Sequence, residues 1–106
     1  MPKYLLQASY TAEGTKGLLE EGGSKRRAAV EKALQGIGAK IDVFYYSLGD
    51  EDAILIVDAP DNGTAAALSM TVNATGAVRV KTSVLLTIEE LDAATKKTVK
   101  YRAPGR

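Results

Sequence analysis

Residues 77–87 read AVRVKTSVLLT, and their side chains alternate in character along the whole segment. Alternate positions form an apolar face of Val78, Val80, Thr82, Val84 and Leu86. The positions between them form a mixed face of Arg79, Lys81, Ser83 and Leu85. Because successive side chains of a strand point to opposite sides, this pattern predicts a strand with one face on a core. Its mixed face is then open to a ligand or to a second subunit.

The first half of the chain predicts one strand and one main helix. Residues 3–10 have the composition of a strand with polar and apolar sides. A short helical turn follows, and Gly22 and Gly23 are expected to end it. Ser24 is then the predicted N-cap of a first main helix over residues 25–35, whose apolar positions recur at helical spacing.

The second half begins with a predicted hairpin. Residues 39–48 and 53–58 are both strand-like, and the polar turn 49–52 between them is short. The strand 53–58 is almost entirely apolar, which indicates burial on both of its faces. Asp61 is a suitable N-cap for a second helix, expected over residues 62–74.

The end of the chain predicts a third helix and an arm. Thr87 and Glu90 have the spacing of a capping box, so a short helix is expected from residue 88 to about residue 97. Residues 98–106 are basic and contain Pro104 and Gly105, which predicts a flexible basic tail.

The order strand, helix, strand, strand, helix, strand predicts an α+β fold of the ferredoxin-like βαββαβ type. Right-handed crossovers would place both main helices on one face of a four-stranded antiparallel sheet. The chain has 106 residues, so residues 1–106 are predicted to form a single domain.

The other face of this sheet is expected to pair with a second copy of the chain. Alternation in the second strand assigns Phe44 and Tyr46 to that face, together with Leu85 from the last strand. Such a face is too apolar to be left in water. A two-fold homodimer, sheet against sheet, is the simplest way to cover it, and we expect Phe44→Asp to break that dimer.

Composition excludes several chemistries. The chain contains neither Cys nor His, so it has no disulfide, no thiolate and no imidazole for catalysis or metal binding. We therefore expect no metal and no cofactor. The net charge of +1 argues against a general nucleic-acid binder. Residues 53–57 form the longest apolar run, which is too short to span a membrane, and no secretory signal is visible. A cytoplasmic location is expected.

Four blocks of sequence carry a resemblance. They are Met1-Pro2-Lys3-Tyr4 with Ala8-Ser9-Tyr10-Thr11, Gly22-Gly23-Ser24-Lys25-Arg26-Arg27, Phe44-Tyr45-Tyr46, and Gly76-Ala77-Val78-Arg79-Val80-Lys81-Thr82. Together they resemble the GYD-domain family over about residues 1–95. The resemblance implies a subunit of the dimeric α/β-barrel kind and implies little about activity, because the family is largely uncharacterised. The expected Gly-Tyr-Asp signature is altered, since Glu51 stands where its Tyr is expected.

The mixed face of the last strand is the main candidate for ligand binding. Arg79, Lys81 and Ser83 lie on it, Gln7 could join them from the first strand, and Tyr46 could donate a hydrogen bond to a bound oxygen. Arg binds carboxylates and phosphates well because its planar fork donates two parallel hydrogen bonds. The alternative is structural: the two cations pair with carboxylates or extend into solvent, and Tyr46 anchors an interface.

A second candidate is an anion site formed by Ser24, Lys25, Arg26 and Arg27. Glycines before a helix N-terminus leave backbone N–H groups free, and the helix dipole favours a negative charge there. The spacing is not that of a P-loop. The alternative is a Ser-capped helix whose basic first turn is simply solvated.

Three functions are compatible with these features. The leading hypothesis is a small homo-oligomeric protein that binds a small anionic or polar ligand in a cavity between sheets. The second is a cofactor-independent oxygenase or isomerase, an analogy that rests on fold alone. The third is a scaffold or interaction subunit whose basic tail contacts a partner. No residue can be assigned as catalytic from the sequence.

Overall fold

The computed structural model describes all 106 residues and contains four strands and three helices. The strands are β1 (Lys3–Tyr10), β2 (Lys40–Tyr46), β3 (Ala53–Asp58) and β4 (Val78–Val84). The helices are α1 (Ala12–Gln35), α2 (Asn62–Ala74) and α3 (Ile88–Thr95). None of the three combines the length and hydrophobicity that crossing a bilayer requires.

The sheet confirms the predicted architecture. Its strand order is β2-β3-β1-β4, and every neighbouring pair is antiparallel. The βαββαβ order therefore folds into one four-stranded antiparallel sheet, in which β1 and β3 are central. α1 packs over β1 and β2, while α2 packs over β4. The fold is thus α+β and ferredoxin-like.

The core lies between the sheet and its helices. Leu6 of β1 is opposite Leu55 of β3, and the alternate residues of both strands point to the same side. Leu34 of α1 and Ala65 of α2 close this side from above. Eleven buried hydrophobic residues form one cluster, so the alternation predicted for the strands does select a single core face.

A β-bulge in β2 overturns the predicted orientation of Phe44 and Tyr46. Ile41 pairs with Val57, but Val43 pairs with Ile56, so Asp42 is an extra residue in the strand. Because one inserted residue reverses the alternation that follows it, Phe44 and Tyr46 join Ile41 on the helix side. The expectation that they lie on the uncovered face was wrong.

Helix α1 contains both the short helical turn and the main helix that the sequence predicts, with the predicted break at Gly22, and it begins at Ala12. Thr11 is its N-cap, and the Thr11 hydroxyl accepts a hydrogen bond from the Gly14 N–H. Gly22, at φ 79° and ψ 168°, divides α1 into two helical segments. This backbone conformation is essentially restricted to glycine. Ser24 lies beyond the kink with helical dihedral angles, so the prediction that Ser24 is an N-cap was wrong.

Helix α3 has the predicted capping box but packs against nothing substantial. The Thr87 hydroxyl accepts from the Glu90 N–H, and the Glu90 carboxylate accepts from the Thr87 N–H, both at 3.0 Å. The helix ends at Thr95, and none of its residues is buried. Together with the basic tail it forms an exposed arm.

Candidate functional site

The uncovered side of the sheet, here named the open face, has an apolar centre. Leu5 and Val43 both lie opposite Ile56, and Tyr45 lies opposite Ile54. Four of these five side chains are half-buried by their neighbours, whereas Tyr45 is 71% exposed. They span β1, β2 and β3, so the apolar centre is continuous across three adjacent strands.

One end of the open face is closed by an ion-pair group. Lys3 Nζ lies 2.8 Å from Asp58 Oδ1 and 3.0 Å from Asp42 Oδ2, which joins three strands through one ammonium group. The hydrogen bond from Lys3 holds the pKa of Asp58 below its usual value, although burial acts in the opposite direction. The two carboxylates raise the pKa of Lys3.

The other end carries a second polar group, centred on Glu51. The Ser9 hydroxyl donates to Glu51 Oε2 at 2.8 Å, and Lys81 Nζ lies 2.9 Å from Glu51 Oε1. The hydrogen bonds from Lys81 and Ser9 lower the pKa of Glu51. The predicted alternative, in which Lys81 pairs with a carboxylate, is therefore observed. Glu51 stands where a family Tyr is expected, and here it links β1 to β4.

Arg79 lies beside this group without an ion-pair partner. It is exposed and opposite Ser9 in the register of β1 and β4. Together with Lys81 and Glu51 it lines a polar depression at the edge of the sheet. Its guanidinium is thus free to bind an external acceptor.

The structure divides the predicted ligand-binding residues between two sides of the sheet. Gln7 pairs with Lys81, and Arg79 and Ser83 share their face, so four of the five lie together. Tyr46 is on the helix side, where its hydroxyl donates to the Gly23 carbonyl at 3.0 Å. Burial raises the pKa of Tyr46, while the Arg26 charge opposes that rise, so the group remains a hydrogen-bond donor.

The predicted anion site is dispersed. Ser24, Lys25 and Arg27 are exposed, but Arg26 is half-buried and lines a cavity together with residues of the sheet. Its Nη1 atom lies 3.6 Å from Glu21 Oε1. Because Ser24 is not a cap and Arg26 points away from its neighbours, the four residues do not converge on one position.

Val43 and Tyr45 are the residues of the open face that sequence reasoning missed. Alternation counted from Ile41 places both of them on the core side, and only the strand pairing reveals the bulge that reverses them. No local pattern in residues 39–48 marks Asp42 as an inserted residue. No three Asp, Glu, His or Cys side chains lie close enough together to hold a metal ion.

Comparison with known proteins gives one result. A search of curated proteins found no match, and a search of solved structures found none either. The GYD domain matches residues 4–95, a range that contains α1, β2, β3, α2, β4 and α3 and all but the first residue of β1. The chain belongs to the GYD domain family.

Proposed function

We propose that two copies of this chain pair through their open faces and bind a small polar or anionic molecule at the Arg79 end of the shared interface. The single observation that carries this proposal is the composition of the open face. Its apolar centre is formed by Leu5, Val43, Tyr45, Ile54 and Ile56. Soluble proteins rarely leave such a continuous patch in water, and sheets pack face to face with inner side chains interdigitated.

The charges around this patch favour pairing as well. Lys3 and Lys81 already have carboxylate partners within the chain. An interface can therefore cover the face without leaving either charge buried and unpaired. Polar groups at the rim of an apolar centre are typical of protein interfaces.

The unpaired guanidinium of Arg79 supports the ligand class. An Arg without a carboxylate partner offers two parallel N–H donors, a geometry that suits a carboxylate or phosphate. Ser83 lies further along the same face of β4 and could contribute a hydroxyl group to a larger ligand. A small anion at the edge of the interface is therefore the ligand that these side chains would recognise.

The exposed arm is a further argument for a second copy. Leu86, Ile88 and Leu91 are largely exposed, and α3 has only eight residues. An isolated helix of this length is marginal in water, so packing outside its own chain is the natural source of its stability. The arm would then pack against the partner subunit beside the paired sheets.

Native mass spectrometry of the full chain tests the pairing. We expect the wild type to have the mass of a dimer and Tyr45→Asp to be monomeric, because the new charge would lie in the apolar centre. Tyr45 is mostly exposed in the single chain, so its loss should leave the fold intact. Leu19→Asp is the matched control: Leu19 is 81% exposed on α1, away from the open face, and this variant should remain dimeric. A monomeric wild type would contradict the proposal.

Calorimetric titration with inorganic phosphate tests the ligand. We expect Arg79→Ala to weaken binding by about tenfold or more, since a hydrogen bond to a charged group contributes about 1.5–3 kcal/mol. The variant should still form dimers. Arg27→Ala removes an exposed Arg from α1 and should bind like the wild type. Equal affinity of all three proteins would exclude Arg79 as the anion-binding group.

A further inference from the structure

A second site lies on the helix side of the sheet, beneath α1 and α2. It is a cavity of about 80 Å³ bounded by fourteen residues, of which thirteen are hydrophobic. Leu6 and Leu55 form its floor, Val30 and Leu34 border it from α1, and Leu68 and Val72 border it from α2. It is separate from the open face, because the sheet itself lies between them.

The cavity arises from the way the helices are placed. α1 packs over β1 and β2, and α2 packs over β4, so the core between them is covered incompletely. Val30, Leu68 and Val72 pack against the buried cluster but remain only half-buried. Protein interiors rarely leave voids larger than a water molecule, so an apolar space of this size is a place for a ligand group.

Two half-buried residues of the lining carry polar groups that could orient such a ligand. Arg26 is the one lining residue that is not hydrophobic, and its contact with Glu21 is long, at 3.6 Å. The Tyr10 side chain also lines the cavity; its backbone N–H donates to Asp52, whereas its hydroxyl bonds to no group of the chain. Burial, as the largest influence, raises the pKa of Tyr10, which keeps that hydroxyl protonated as a donor.

We propose that this cavity binds a short, branched aliphatic carboxylate, with the hydrocarbon inside and the carboxylate held by Arg26 and Tyr10. The apolar lining selects the hydrocarbon, and the guanidinium fork and phenol hydroxyl match the carboxylate oxygens. The volume limits the size of the hydrocarbon, since an engineered apolar cavity of about 150 Å³ in another protein accommodates benzene. A cavity about half as large suits an isobutyl group.

Methyl-group NMR titration of the full chain with 3-methylbutanoate tests this inference. We expect saturable shifts confined to cavity methyl groups such as those of Val30, Leu68 and Val72. Acetate lacks the hydrocarbon and 3-methylbutan-1-ol lacks the charge, so each should bind more weakly by about tenfold or more. Absence of saturable shifts with 3-methylbutanoate, or equal binding of the three compounds, would overturn the proposal.

Two variants separate the head-group contact from the cavity. Arg26→Gln keeps the side chain long but removes its charge, and it should weaken 3-methylbutanoate binding about tenfold. Arg27→Gln, one residue along and exposed, should leave the affinity unchanged. Val30→Phe should fill the cavity and abolish the ligand-induced shifts of its methyl groups. If that variant does not fold, the comparison of Arg26→Gln with Arg27→Gln still tests whether Arg26 holds the carboxylate. Equal affinity of both Gln variants would overturn the assignment of Arg26. Neither Arg26 nor Val30 lies on the open face, so these results are independent of dimer formation.

Discussion

Two glycines in the first segment of α1 show how differently the same residue type can act. Gly14 lies against the start of β4: a Cβ atom there would collide with the Ala77 carbonyl, and it would come within 3.3 Å of the Tyr10 ring. The same carbonyl accepts the Thr11 N–H at 3.0 Å, so it cannot easily move. Gly17, one turn later, has nothing within 4 Å of its Cβ position.

We therefore expect Gly14→Ala and Gly17→Ala to change stability in opposite directions. Gly14→Ala should lower the free energy of unfolding by about 1–3 kcal/mol, the usual cost of overpacking. Gly17→Ala should raise it by up to about 1 kcal/mol, because Ala has the better helix propensity. Urea denaturation followed by circular dichroism measures both. A gain in stability for Gly14→Ala would show that α1 does not pack against Ala77 in this way.

At the scale of elements, four residues have the side-chain type of an N-cap, but only three of them cap a helix. Thr11, Asp61 and Thr87 each accept a hydrogen bond from the N–H three residues later. Ser24 has the residue type of a cap, but its backbone is already helical, so it performs no such function. Gly22 is the one residue within α1 that has non-helical dihedral angles, so the second helical segment already includes Ser24. This explains why a strong local signal at Ser24 was misleading.

Alanine substitutions at Thr11 and Ser24 should therefore differ. Thr11→Ala should cost about 0.5–2 kcal/mol of folding free energy, because the Gly14 N–H loses its acceptor. Ser24→Ala should be neutral or slightly stabilising, since Ala is favoured within a helix. Thermal and urea unfolding of the two variants, side by side with the wild type, checks the difference. An equal loss of folding free energy in the two variants would indicate that Ser24 does act as a cap.

At the scale of the whole molecule, two polar groups hold the sheet together at opposite ends. Lys3 links β1 to Asp42 of β2 and Asp58 of β3, and Glu51 links Ser9 of β1 to Lys81 of β4. The carboxylates Asp58 and Glu51 are about equally shielded, but the first group is better shielded at its cation, since the Lys3 side chain is 45% exposed and the Lys81 side chain 73%. An ion pair that is open to water contributes little to stability, so the Lys3 group should matter more.

The Asp58 carboxylate makes stability depend on pH in acid. Its folded pKa lies below the ordinary value of 3.8, so the unfolded chain binds the proton first as the pH falls. Its contribution is therefore complete above that ordinary value and is lost as the pH falls through the folded pKa. Asp58→Asn should be less stable than the wild type at pH 7, and the difference should shrink toward pH 3. Urea denaturation at both pH values measures the difference in unfolding free energy between variant and wild type. Glu51→Gln is the control, for which a smaller difference is expected. A difference for Asp58→Asn that does not change with pH would contradict the expectation.

Much of the fold and part of the candidate site could be read from residue types and their spacing. Strict alternation in residues 77–87 correctly placed Arg79, Lys81 and Ser83 on one face of β4. Asp61 and Thr87 were recognised as caps because a capping side chain bonds to a backbone group only three residues away. These features depend on interactions within a single element. The homodimer, its ligand and the alternative functions as enzyme or scaffold remain predictions.

Other features were decided only when distant parts of the chain came together. Asp42 became an extra residue because β2 pairs with β3, and that pairing moved Phe44 and Tyr46 to the helix side. The cavity beside Arg26 exists because α1 and α2 cover different strands. The alternation of β4 and the caps at Asp61 and Thr87 were thus determined by the sequence alone, since each arises from neighbouring residues. Orientation after the bulge and the space between the helices were determined by tertiary structure, since each depends on contacts between residues far apart in the chain.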